Sequence, residues 1–374
     1  HRRYLDLPVG CFCIAVSYQR LRTFLSRPHV SMCNQFPESI PTLQSISPQS
    51  ARFCLSCEAL WRARMPFPQE KTLLLAVSGG MDSTSLLLLV FLLARRNRWS
   101  IVACTLDHGL RPESGEEVCG VVALCDYLHV PCVAKALSVR EWAETHRVGL
   151  DEAARTLRYD TLEQVRLQTG ADLICTAHQL DDLMEDVLMR LTRGSGWPAL
   201  GGMAPFSEER HLLRPLLYVR KALLQDFLVD LGIPWYTDLS NFDLTYTRNR
   251  FRHTILPLFL EENPNFAHAV DQIGQMAILD RAYWDEVLLR ALREVPWQIS
   301  QREQETVLEL PQALLARLAP AERIRLYHRA FETVRKLAEE RESAGMRQLT
   351  GENLFAIERA YMRHVGGKTV QLPG

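Results

Sequence analysis

Residues 72–83 read Thr-Leu-Leu-Leu-Ala-Val-Ser-Gly-Gly-Met-Asp-Ser. The apolar run Thr72 to Val77 is short enough for a buried strand. Ser78-Gly79-Gly80 breaks it, and a long apolar body from Asp82 to Arg96 follows with the length of a helix. Two adjacent glycines let the backbone turn tightly and come close to a bound group. The loop N–H groups and the start of the following helix then form an anion site, and the hydroxyls of Ser78 and Ser83 add donors. Asp82, in the first turn, can hold a Mg²⁺ ion that bridges to phosphates. No Gly-Lys-Ser/Thr is present, so this is not a Walker A loop.

Outward from this stretch, strands and helices alternate. Ile101 to Leu106 and Pro131 to Leu137 read as strands, as does Asp172 to Ala177. Helices are expected after Pro112, from Leu150 to Thr169 and from Leu180 to Arg193. The order predicts an α/β domain with a doubly wound parallel sheet over 66–255. Residues 256–374 have long amphipathic helical periods and predict an all-helical second domain. In a doubly wound sheet, ligands bind beyond the carboxyl ends of the strands. The chemically interesting residues fall there.

Three further sets carry chemistry. Thr176-Ala177-His178-Gln179-Leu180-Asp181-Asp182-Leu183-Met184-Glu185 sits at a strand–helix junction. Asp182 and Glu185, three apart, share a helix face and can hold an ammonium group. An acidic first turn is also favoured by the helix dipole alone. Asp107-His108, in Leu106 to Arg111, end the second strand, where a bound adenine would lie. Glu152 to Tyr159 places Arg155 and Arg158 on one helix face, suited to charge developing on a phosphate. A solvated basic face is the ordinary alternative.

The 374 residues carry 43 Lys plus Arg against 44 Asp plus Glu, a net charge of −1. A globally basic surface is therefore excluded, and contact with nucleic acid must come from local patches. No apolar run is long enough to span a membrane. The ten cysteines are too few for a disulfide scaffold and fit reduced thiols in a cytoplasmic setting. Residues 1–65 differ, with eight Arg, no Lys, eight Ser and three acids. The expectation there is a disordered or mis-annotated extension, ahead of an organellar transit peptide of the same composition. Cys54-x-x-Cys57 could be half a zinc site, but Cys11, Cys13 and Cys33 are irregularly spaced and do not complete it.

The Ser78–Ser83 loop resembles that of the N-type ATP pyrophosphatases, or PP-loop enzymes. Taken with the other sets, it resembles the tRNA(Ile)-lysidine synthetase family. Leu191 to Gly196, Leu200 to Met203, Arg214 to Leu217, Trp235 to Asn241 and Tyr246-Thr247-Arg248-Asn249-Arg250-Phe251-Arg252 support this, as do Leu354 to Glu358 and Gly367 to Gly374. The likeness covers about residues 71–374. It implies an ATP-binding catalytic domain over 66–255 and a helical tRNA- or substrate-binding domain over 256–374. The implied reaction adenylates carbonyl oxygen 2 of the wobble cytidine of a tRNA(Ile) with anticodon CAU. The ε-amine of free L-lysine then displaces AMP to give lysidine.

By the same resemblance, Ser78, Gly79, Gly80, Asp82 and Ser83 hold ATP and Mg²⁺, with Asp107 and His108 near the nucleotide. Asp182 and Glu185 orient the amine, and Arg155, Arg158 and His178 surround the reacting phosphate and base. Arg248, Asn249, Arg250 and Arg252 are candidates for tRNA backbone contact from their charge pattern. A homodimer is compatible with the family.

The chain departs from the family's His-His-x-Asp-Asp-Gln-x-Glu-Thr pattern. It has Gln179 for the second His, Leu183 for the Gln and Asp186 for the Thr. It stops at Leu372-Pro373-Gly374, whereas longer members continue into a further tRNA-binding domain. The expectation is a short member or a truncated sequence. Rival readings are a PP-loop tRNA thiolase, a small-metabolite adenylating ligase and a tRNA binder without activity. A thiolase needs cysteines after the loop, and those present lie mostly in apolar runs. The ligase needs an ammonia source, and no glutaminase segment is evident. Intact Asp82, Asp182 and Glu185 weigh against an inert binder.

Overall fold

A computed structural model describes residues 36–66, 68–111, 114–237, 243–302, 305–339 and 351–363. Expectations for Cys11, Cys13 and Cys33, for Asp238 to Asn241 and for the tail from 364 onward lie outside the described residues.

Six strands form one sheet. They are β1 (Thr72–Ala76), β2 (Ser100–Asp107), β3 (Cys132–Ala136), β4 (Leu173–Cys175), β5 (Phe206–Ser207) and β6 (Leu212–Leu213). Their order is β3-β2-β1-β4-β6-β5, parallel except for the antiparallel β5–β6 pair. Leu74 lies between Val102 and Ile174. Leu73, Leu74 and Leu75 are buried, since both faces of the central strand are covered. The chain winds from β1 outward to β3 and then returns to β4 on the other side. The switch point thus lies beside β1 and β4, where a crevice opens at their carboxyl ends.

Helices α1 (Pro48–Arg64), α2 (Met81–Asn97), α3 (Ser114–Leu128) and α7 (Lys221–Leu231) join the larger core cluster on one face of the sheet. Helix α5 (Leu150–Thr169) covers the other face through Leu162 and Val165. Between them in sequence lies α4 (Val139–His146), packed on α5 through Val139, Ala143 and Ala153. The expected strand from Leu212 to Leu217 narrows to two residues, because the chain turns at Arg214.

Within the expected extension 1–65, helix α1 shows Pro48–Arg64 to be ordered, while residues 1–35 lie outside the described residues. Ser47 caps the helix, with its hydroxyl accepting from the Ser50 N–H at 3.1 Å, and Pro48 occupies its first turn. Cys54, Cys57 and Trp61 are buried in the main core, and Trp61 tilts against Trp99 at 6.1 Å. Positions 54, 57, 58 and 61 are one helical seam. The Cys-x-x-Cys spacing is therefore also that of two adjacent turns of a buried helix face. Burial pushes both thiols up to about 12, so they are packing groups in their protonated form.

Helix α6 (Leu180–Thr192) joins the sheet to the C-terminal helices. Its buried Leu183, Met184, Val187 and Leu188 cluster with Phe251, Leu256 and Val270. Beyond come α8 (Thr247–Arg250), a π-helical turn (Phe251–Ile255), α9 (Leu256–Glu262), α10 (Phe266–Glu294), α11 (Gln312–Arg317), α12 (Pro320–Glu339) and α13 (Gly351–Met362). The region expected to be all-helical also holds an antiparallel pair, β7 (Gln298–Arg302) with β8 (Glu305–Glu309). These segments are short and lack a helical apolar period. Arg323 ties α12 to α13 through Glu358, which also accepts from the Tyr327 hydroxyl at 3.1 Å.

The joint between sheet and helices is close. A short 3₁₀ turn (Ala199–Gly201) rests on α10 so tightly that a Cβ on Gly201 would lie 2.2 Å from that of Ala277. Arg64 of α1 reaches Asp271 of α10 with two hydrogen bonds, at 2.9 and 3.0 Å. Among the described residues, no helix is long and apolar enough to cross a membrane.

Candidate active site

The Ser78–Ser83 loop is built by local hydrogen bonds. Ser83 Oγ accepts from the Ser78 N–H at 3.1 Å, lies 3.1 Å from Ser78 Oγ and donates to Gly80 O at 3.0 Å. Gly79 has φ +83°, where a side chain is strained, and a Cβ there would crowd Tyr236 and Val121 at 3.2 Å each. Tyr236 fixes the loop from outside. Its N–H donates to Gly79 O at 2.9 Å and its hydroxyl to Glu116 O at 3.0 Å. Gly80, the residue before α2, has no side chain to cap the helix, so the first-turn N–H groups face the crevice uncapped.

Asp82 stands at that helix start. Burial pushes its carboxyl up to about 6, with Lys221 and Arg252 opposing and Asp182 and Asp181 adding to the rise. Its Oδ1 is buried and makes no hydrogen bond. An orphaned carboxylate oxygen beside an anion site suits a Mg²⁺ ion. No group of three His, Cys, Asp or Glu side chains among the described residues could hold a metal by itself. Phosphate oxygens and water would have to supply the other ligands, as is usual for Mg²⁺.

Opposite the loop, β4 leads to His178. Its Nδ1 lies 3.0 Å from Thr176 Oγ1. Burial pushes it down to about 4. Asp182 opposes this, while Arg214, Arg248 and Arg155 reinforce it. His178 is therefore neutral at ordinary pH, a hydrogen-bonding group and not a charge. His108, at the end of β2, is likewise pushed down to about 4 by burial and by Arg158. Its Nδ1 is buried without a partner. Asp107 is differently employed. Its Oδ1 accepts from the Gly109 N–H at 2.8 Å and from Ser114 Oγ at 2.6 Å, so it holds the turn after β2.

A capping box starts α6. The Gln179 N–H donates to Asp182 Oδ2 at 3.1 Å, and Gln179 Oε1 accepts from the Asp181 N–H at 2.6 Å. The three departures from the family pattern fall on structural positions: Gln179 caps the helix, Leu183 is buried against the loop at Gly202, and Asp186 pairs with Arg190 at 2.8 Å.

The carboxylates Asp182 and Glu185 have partners that the charge pattern of the sequence assigns elsewhere. Arg248 donates from Nη2 to Asp182 Oδ1 at 2.8 Å and from Nε to Glu185 Oε2 at 3.0 Å. Arg252 donates from Nε to Glu185 Oε1 at 2.7 Å and from Nη2 to Asp182 Oδ1 at 3.1 Å. Burial opposes the charge of each arginine, but the two carboxylates outweigh it and raise both. Arg248 and Arg252, expected along a tRNA backbone from their charge pattern, thus have carboxylate partners within the chain. Both side chains point into the crevice. They sit four apart across the turn where α8 becomes π-helical, so they arrive side by side. Asn249 is buried, and its side chain donates to Asp243 O at 2.9 Å. Arg250 is exposed and folds back onto Leu244 O, Thr245 O and Thr247 Oγ1.

Arg155 and Arg158 lie between His108 and His178. Both histidines and Arg158 itself register the neighbouring guanidinium charge. The structure therefore gathers the loop, Asp82, His108, Arg155, Arg158, His178, Asp182 and Glu185 into one crevice. It adds Arg248 and Arg252 to the same place. Sequence reading misses Arg220 and Lys221, and quotes Arg214 only as part of a motif, with no place in the site. Arg220 pairs with Asp181 at 3.2 Å, and Lys221 supplies the largest opposing positive charge at Asp82. The signal for this pair is their place at the start of α7, directly after the turn that follows β6.

The PP-loop domain family matches residues 56–259. A tRNA(Ile)-lysidine synthase of Nitratidesulfovibrio vulgaris is 41% identical over 310 residues, covering 80% of this chain and 86% of that protein. A tRNA(Ile)-lysidine synthase of Thermosipho africanus is 41% identical over 202 residues, 54% of this chain and 47% of that protein. One from Methylobacterium is 43% identical over 196 residues, 52% and 55% of the two chains. The chain thus spans most of the first relative and about half of the other two. A solved U34-tRNA thiolase of Methanococcus maripaludis shares the fold, with a TM-score of 0.52 and 13% identity, covering 61% of this chain and 80% of that one.

Proposed function

From its membership of the tRNA(Ile)-lysidine synthase family, within the PP-loop ATP-binding proteins, we propose that this chain uses ATP to join free lysine to the wobble cytidine of a tRNA(Ile) with anticodon CAU. The observation that carries the reading is the facing of two built sites across one crevice. One is an anion-binding loop with a glycine turn and an open helix start. The other is a pair of buried carboxylates, Asp182 and Glu185.

The loop and the start of α2 bind the nucleotide's phosphates. Mg²⁺, held by Asp82, supplies charge neutralisation there. Cytidine O2 forms a bond to the α-phosphorus of ATP, and pyrophosphate leaves. Arg155 and Arg158 balance the charge that develops on phosphate. Lysine's ε-amine then forms a bond to carbon 2, the C2–O bond breaks, and AMP leaves with that oxygen. The amine, with an ordinary pKa of about 10.4, must shed a proton before it attacks. Asp182 and Glu185 are the anionic acceptors in reach, and neutral His178 orients by hydrogen bonding.

In the structure, the carboxylates' two negative charges are matched by Arg248 and Arg252. An incoming ammonium must therefore exchange with a guanidinium. Arg248, with its side chain 45% exposed, is the one free to leave; Arg252 is 22% exposed. A homodimer belongs to the same reading, and sedimentation would decide it.

A thiolase on this fold is disfavoured by the cysteines. Cys104 and Cys175 are packed inside the sheet, and burial pushes both thiols up to about 12.

The deciding experiment is incorporation of labelled lysine into unmodified tRNA(Ile) with anticodon CAU, with ATP present. A methionine tRNA of the same anticodon is the control. ATP-dependent labelling of the first alone is expected. Pyrophosphate release without labelling would keep the adenylating fold and overturn the nucleophile.

A further inference from the structure

Next to His178, whose ring registers the charges of Arg214 and Arg155, cations crowd around one aromatic ring. The guanidinium of Arg155 lies over Tyr159 at 5.3 Å from the ring centre, and that of Arg210 at 5.6 Å. Arg214 stands beside the Tyr159 hydroxyl and is only 9% exposed. Its Nη1 donates to Ala204 O at 2.6 Å, yet its Nε is buried with no partner. Burial lowers Arg214, with Arg155 and Arg210 reinforcing the shift and the Tyr159 hydroxyl opposing it. The Asp160 carboxylate feels the charge of Arg210 but forms no ion pair with it.

Among the described residues, three guanidiniums held together without an ion-paired carboxylate, one of them buried, leave an anion unaccounted for. We propose that Tyr159, Arg210 and Arg214, with Arg155, form a second anion site that takes a backbone phosphodiester of the RNA next to the base delivered to His178. A nucleoside triphosphate seated on the Ser78–Ser83 loop is already anchored at the end of β1. A polynucleotide that places a base at His178 continues past it. Arginine–aromatic stacks suit such a chain, because they offer charge to phosphate and a flat face to a base. The inference rests on the functional reading above.

Arg210 is exposed on the β5–β6 turn, so its replacement tests the site without disturbing the core. The measurement is the dissociation constant of the tRNA(Ile) transcript over a series of KCl concentrations, alongside that of ATP. It is made for wild type, Arg210→Ala and Arg210→Lys. Arg210→Ala should weaken RNA binding about three- to tenfold and reduce the salt slope by about one, the loss of one phosphate contact. ATP binding should be unchanged, and Arg210→Lys should recover most of the slope. Weakened ATP binding with an intact RNA slope would overturn the proposal in favour of a nucleotide phosphate. No change in either would overturn it outright. Wild-type RNA binding without lysine incorporation would overturn the functional reading alone, since the comparison of slopes would still decide this one.

Discussion

Arg252 Nε donates to Glu185 Oε1 at 2.7 Å, joining a π-helical turn to a helix 67 positions earlier in the chain. Glu185 is 0% exposed, so this arginine and Arg248 are what make a buried carboxylate tolerable there. Glu185→Gln leaves both guanidiniums short of a counter-charge. Breaking a buried pair costs on the order of 3 kcal/mol; partial exposure of both arginines lowers the expected loss to about 2 kcal/mol. Urea unfolding reads that loss. In the assay, the variant should raise the lysine requirement more than the ATP requirement. Equal changes in both would remove Glu185 from the amine site.

Arg248→Ala has the opposite sign for amine binding. Two carboxylates would then face one guanidinium, giving the site a net charge of −1. Lysine binding, followed by calorimetry, should tighten by roughly three- to tenfold, a change of about 1 kcal/mol. An unchanged affinity would show that Arg248 and lysine do not share a place.

Asp82 has a pH signature. Its carboxyl is pushed up to about 6 by burial, from an ordinary value of 3.8. The folded state therefore binds a proton that the unfolded state releases between these values. Stability contributed by the neutral form is present below pH 3.8 and is lost as pH rises through about 6. Asp82→Asn removes that loss and should raise stability above about pH 6 by about 3 kcal/mol without added Mg²⁺. The same variant should abolish adenylation while RNA binding persists. Wild-type activity should fall as pH drops through about 6, and normal turnover by the asparagine variant would refute the role assigned to the carboxylate.

Gly201→Ala should loosen the joint between the sheet and the helices. Its new methyl would overlap the Ala277 side chain at 2.2 Å. Overpacking of this kind costs about 1–3 kcal/mol. The double variant Gly201→Ala with Ala277→Gly should recover most of the loss of melting temperature. If it does not, the contact is not the source.

Strands β1 to β4 and their helices are readable because hydrophobic period and glycine turns are local signals. So are the loop and the acidic turn of α6. The pairing of Arg248 and Arg252 with Asp182 and Glu185 is not readable. It joins segments more than about 60 residues apart, and an Arg-rich stretch without acids reads equally as an RNA-facing surface. Helix α1 misleads for a different reason. Its buried seam consists of two cysteines, a tryptophan and Glu58, and Glu58 is kept inside by Arg62 and Arg96. That seam has the spacing of a helix face, but cysteines and a buried acid give no sustained apolar period, so the segment reads as a disordered extension. The β7–β8 ribbon escapes the sequence reading because its residues carry little period of either kind.

The tight seat of Gly201 on α10, tied further by Arg64 to Asp271, sets a fixed span between the crevice and the helical arm. A partner that touches both is then measured against a ruler. Sequence at the reacting base would be only half of the test it faces, and the distance from that base to the next rigid feature of the partner would be the other half.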